Sequence, residues 1–74
     1  MVTQAERKEE EDGNAAKILI LAQLEKSPRG ISITGLVNEC DISRMRVRVA
    51  IAYLLGAGKI EEEMVGMTKL YFLV

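Results

Sequence analysis

The chain has no histidine and no tryptophan, a single cysteine, a single proline and three aromatic residues, Tyr53, Tyr71 and Phe72, in 74 residues. Without histidine there is no imidazole to serve as a general base, and one chain cannot assemble a Cys/His zinc site. Cys40 cannot close a disulfide within its own chain, and a lone thiol fits a reducing compartment. No carboxylate pair has acid–base spacing, so the composition points away from an enzyme. No apolar run approaches the roughly 18 residues that a membrane span needs, and the N-terminus is polar and acidic rather than signal-like. A cytoplasmic protein is expected, with no membrane partner, no cofactor or metal and no small-molecule ligand.

What is present is an ordinary globular balance, 49% apolar and 28% charged. At this length folding buries only about 60% of the surface the unfolded chain exposes, which allows one small domain. The net charge of −1 conceals an asymmetry. Residues 1–14 carry five acids against two bases, a sum of −3, and residues 15–74 carry eight bases against six acids, a sum of +2. An acidic tail over 1–14, flexible or partly helical, is therefore expected to precede a mildly basic domain over 15–74.

Local signals divide that domain. Asn14 can cap a first helix from Ala15 to Lys26, which Ser27-Pro28-Arg29-Gly30 ends. The apolar residues of this helix do not form one stripe. Ile18 and Leu21 lie on one side, Ile20 and Leu24 on another and Leu19 near a third, so burial against more than one neighbour is expected. After a short extended piece from Ile31 to Ile33, Ser32 can cap a helix from Ile33 to Cys40 with Leu36, Val37 and Cys40 inward. Gly35 within it suggests a close helix approach. Asp41-Ile42 is a tight connection, and Ser43 can cap a third helix that runs to about Leu55. Ile60 to Val65 and Lys69 to Val74 read as strands joined through Gly66.

That order resembles the winged helix-turn-helix family, in particular compact ArsR- and MarR-like regulators of bacteria and archaea. The resemblance is carried by GISITGLVNECDISRMRVRVAIAYLLGAGKIEEE, Gly30 to Glu63. Within it Leu36-Val37, Ile42-Ser43, the apolar series Val47, Ile51 and Leu54, then Ala57-Gly58 and Ile60 match the family rhythm without a gap. Asp41 stands where glycine is common, Lys59 replaces an apolar residue and the wing is acidic. The resemblance implies an α+β, mainly α, winged helix-turn-helix fold of three helices plus a small antiparallel β-wing. It also implies that the third helix enters the major groove of double-stranded DNA.

The third helix can be tested against that role. Val47, Ile51 and Leu54 share one face and should point inward. The opposite face holds Met45, Val49, Ala52 and Tyr53, with Arg46 and Arg48 on its flanks and Arg44 beside Arg48. Guanidinium groups form bidentate bonds to phosphate and to guanine edges. Met45 or Val49 suits a thymine methyl, and Ser43 can cap the helix and donate to phosphate. At the wing tip Thr68 permits close approach and Lys69 supplies a cation. The expected DNA-binding set is therefore Ser43, Arg44, Met45, Arg46, Arg48, Val49, Thr68 and Lys69. A regulator of this size is expected to act as a homodimer through the first helix, the last strand or both. The alternative is a winged-helix protein–protein interaction module in a larger assembly, with little DNA binding, that uses the apolar row on the third helix and the last strand.

Overall fold

Helix formation begins well before Ala15. A computed structural model describes residues 4–74, with side chains from Asn14 onward. In it α1 spans Gln4–Glu25. Asn14 lies inside this helix and is not its cap. Once the packed C-terminal turns are in place, each added residue costs little and gains a backbone hydrogen bond. The Glu-rich segment has good helix propensity, so Gly13 does not interrupt it. Among the described residues no helix is long and apolar enough to cross a membrane.

The chain leaves α1 through a tight turn in which Ser27 N–H donates to Leu24 C=O at 3.1 Å and Gly30 N–H to Ser27 C=O at 2.9 Å. Ser32 then caps α2, Ile33–Cys40, its hydroxyl accepting from Gly35 N–H at 3.1 Å. Asp41 ends α2 in the left-handed conformation at φ 53°, as an Asp in so short a turn can. Ser43 caps α3, Arg44–Gly56. The hairpin pairs β1, Ile60–Val65, with β2, Thr68–Leu73, antiparallel from Ile60↔Leu73 to Val65↔Thr68. β2 thus begins one residue earlier than expected. Gly66, at φ 62°, takes the first central position of the two-residue loop, where a type II′ turn wants glycine.

Every element contributes to one core. α1 supplies Ala16, Ile20 and Leu24, α2 supplies Leu36, α3 supplies Val47, Ala50, Ile51 and Leu54, and the hairpin supplies Ile60 and Tyr71. Ile31 extends the sheet by a single bridge. Its N–H donates to Tyr71 C=O at 3.2 Å, and its C=O accepts from Tyr71 N–H at 3.0 Å. Gly35 marks the approach of this bridge residue rather than of a helix, since a Cβ there would lie 2.6 Å from Ile31 Cγ1. The result is a mainly helical α+β arrangement, three helices and a two-stranded antiparallel hairpin, consistent with a winged helix.

Candidate nucleic-acid interface

The N-terminal end of α3 is fixed by its cap. Ser43 Oγ accepts from Arg46 N–H at 3.2 Å, and Val47 N–H donates to Ser43 C=O at 3.0 Å. The Ser43 hydroxyl is exposed and keeps its own proton to donate. Behind the cap, burial of Val47, Ala50, Ile51 and Leu54 sets the rotation of the helix. That rotation leaves Arg44, Met45, Arg46, Arg48 and Val49 exposed.

The arginines differ in their surroundings. Arg44 Nη2 donates to Thr34 Oγ1 on α2 at 3.1 Å, a bond across the interhelix turn. This holds the guanidinium at the α2 side and leaves most of its five donors available. Arg48 lies on the hairpin side, where its charge acts on the hydroxyl of Tyr71. Burial raises the pKa of that hydroxyl above its ordinary value. The Glu62 carboxylate, directly across the ladder, raises it further by its charge and by accepting from the hydroxyl, and Arg48 opposes the shift. Neither Arg44 nor Arg48 forms an ion pair with a carboxylate among the described residues.

Between the cations runs an apolar row: Met45 is 76% exposed, Val49 65% and Tyr53 56%. Lys17 of α1 places its Nζ 3.5 Å from the Tyr53 ring centroid. A cation over an aromatic face is electrostatically favoured, and this one ties α1 to α3 at the far end of the row. Thr68 and Lys69 sit at the turn end of the hairpin, opposite Val65 and Met64, and both are exposed. Met67 at the loop is fully exposed.

Three residues of this surface, Thr34, Lys17 and Met67, lie outside the set expected from sequence. The position of Met67 after Gly66 in a two-residue loop is a local signal for a tip residue. Thr34 and Lys17 carry no such signal, because their partners come from other helices.

The acidic hairpin base forms a separate feature. A cleft of about 630 Å³ lies between the end of α1, the Ser27-Pro28 turn and the hairpin, with Glu25, Glu61, Glu62 and Glu63 among its lining and no cation. This environment disfavours anions. Cys40 is partly buried, and desolvation first and the Glu39 charge second raise its pKa, so it stays a thiol. Comparison with protein-family models, curated proteins and solved structures finds no match to this chain.

Proposed function

We propose that this protein is a winged helix-turn-helix regulator that binds double-stranded DNA as a homodimer, with α2 and α3 as the helix-turn-helix and the hairpin as the wing. The observation that carries the reading is the division of α3. Its aliphatic side is spent on the core, while Arg44, Arg46 and Arg48 stand exposed in its first two turns. Arg44 is positioned by a neutral hydroxyl, so its charge is not cancelled by that contact. Arg44, Arg46, Arg48 and Lys69 contact phosphate or base edges, Ser43 donates to phosphate, Met45 and Val49 meet thymine methyls, and Thr68 allows the wing to approach the backbone. Two copies read half-sites roughly one helical turn of DNA apart.

A second reading is favoured by one observation. The row Met45, Val49 and Tyr53 is apolar and exposed, which suits a protein partner better than phosphate. Fluorescence anisotropy against a mixed-sequence duplex at low and high salt separates the two. Four phosphate contacts per protomer give a log–log salt slope of about −3.6, and Arg48→Ala reduces its magnitude by about 0.9 per protomer. Absence of binding even at low salt overturns the DNA reading and leaves the protein-binding one.

A further inference from the structure

The cleft at the hairpin base has walls from two parts of the chain. One is the C-terminal end of α1 with Glu25 and the Ser27-Pro28 turn, and the other is β1 with Glu61 and Glu63. Strand β2 pairs with β1 along one edge and with Ile31 on the other, so it lies between the walls, and it contributes Phe72 and Leu73. In the ladder Glu61 stands opposite Phe72 and Glu63 opposite Leu70, so these two carboxylates share the face that carries the Phe72 ring. Glu62 alternates to the other face, where its carboxylate accepts from the Tyr71 hydroxyl.

The negative charge of this cleft is uncompensated. Glu25, Glu61 and Glu63 are exposed and make no ion pair among the described residues. Lys26 and Arg29 adjoin the turn, but neither lines the cleft. Helix α1 brings its negative end here with no base in its last turn. The volume of about 630 Å³ falls within the roughly 300–1,000 Å³ of ligand clefts.

We propose that this cleft docks a basic, extended segment of another protein. Lysine or arginine at alternate positions of that segment pairs with Glu61 and Glu63, which are two strand residues and so about 7 Å apart. Methylene stems lie on Phe72 and Pro28, as long cationic side chains do on apolar surface, and Glu25 meets a further cation from the α1 wall. Charge complementarity selects this occupant. Nucleic acid is repelled, and among the described residues no group of three or more acidic or sulfur ligands is placed to hold a metal ion. A second copy of the hairpin would set carboxylate against carboxylate. The same glutamates that oppose self-pairing therefore favour a basic partner. This surface is separate from the arginines of α3, so it does not depend on DNA binding.

Two-dimensional amide NMR of the full chain, titrated with a hexapeptide of alternating lysine and valine, tests the docking. Saturable shifts are expected at Glu25, Ser27, Glu61, Glu63 and Phe72, and none with the hexapeptide in which glutamate replaces lysine. Glu61→Gln with Glu63→Gln is expected to weaken binding by about 10-fold, as two partly exposed ion pairs are lost. Glu25→Lys should weaken it as well, because it reverses the charge of the opposite wall. Glu9→Gln with Glu10→Gln and Glu11→Gln removes more charge from a different part of the chain and should leave the affinity unchanged. Circular dichroism checks that each variant keeps its fold. Shifts spread over the whole chain, an equal loss in the Glu9, Glu10 and Glu11 variant, no loss in either cleft variant, or displacement of the peptide by spermidine at equal concentration would each overturn the proposal. Cleft shifts that grow with protein concentration and no peptide would assign the site to a second copy and overturn it too. A chain that binds the peptide but no duplex loses the regulator reading and keeps this one, and the reverse result does the opposite.

Discussion

The bond between Arg44 and Thr34 offers a way to separate charge from geometry at α3. Thr34→Val keeps the shape of the side chain and removes the acceptor 3.1 Å from Arg44 Nη2. The cation count is unchanged, so the number of counterions released on binding DNA is unchanged. The guanidinium is no longer held in place, however, and DNA must immobilise it. Ordering one long side chain at an interface costs about 0.5–1.5 kcal/mol, which corresponds to a roughly 2- to 12-fold loss of affinity. The domain itself should lose little, about 0.5 kcal/mol, because the bond is exposed to solvent. Arg44→Ala removes the charge as well, and its salt slope should fall in magnitude by about 0.9 per protomer. The assay is anisotropy titration of the three proteins at several salt concentrations. Parallel salt lines for wild type and Thr34→Val, displaced in affinity, are expected. A Thr34→Val slope that falls as far as that of Arg44→Ala, or an affinity that rises, would refute the positioning role.

The turn before α2 should be intolerant of side chains. Gly30→Ala places a Cβ at φ 89° and 2.7 Å from Phe72 Cε1, and backbone strain plus overpacking are expected to cost about 2–4 kcal/mol, read as a lower urea midpoint. Tyr71 should make stability fall in alkaline solution. Its folded pKa is raised, so the native state holds the phenolic proton more tightly than the unfolded chain does. Stability is then full below the ordinary tyrosine pKa, near 10, and is lost as pH climbs through the folded value. In a Cys40→Ala background, which removes the other raised group, Tyr71→Phe should flatten that decline. It should also cost about 0.5–1.5 kcal/mol at neutral pH by breaking the contact to Glu62. A decline in denaturation midpoint that persists unchanged in the phenylalanine variant would assign it elsewhere.

Much of the fold was legible because its boundaries rest on local chemistry. Ser32 and Ser43 accept from backbone N–H groups three residues on, a bond made within one turn whatever surrounds it. Asp41 and Gly66 take the positive φ that their turns require. Val47, Ile51 and Leu54 point inward as helical spacing dictates. The start of α1 was less legible, because Gly13 and Asn14 resemble a boundary and only propagation from packed turns overrides them.

By itself the sequence determined the order of the elements, the caps and turns between them, and the clustering of arginines at the head of α3. These follow from interactions between residues a few positions apart. The tertiary structure alone decided which of the apolar directions on α1 is buried and which is left bare. It also set Thr34 against Arg44, Lys17 over Tyr53, and Arg48 near the Tyr71–Glu62 pair. Each of these joins residues from different elements, so it exists only once packing has fixed the rotation of each helix and the register of the hairpin.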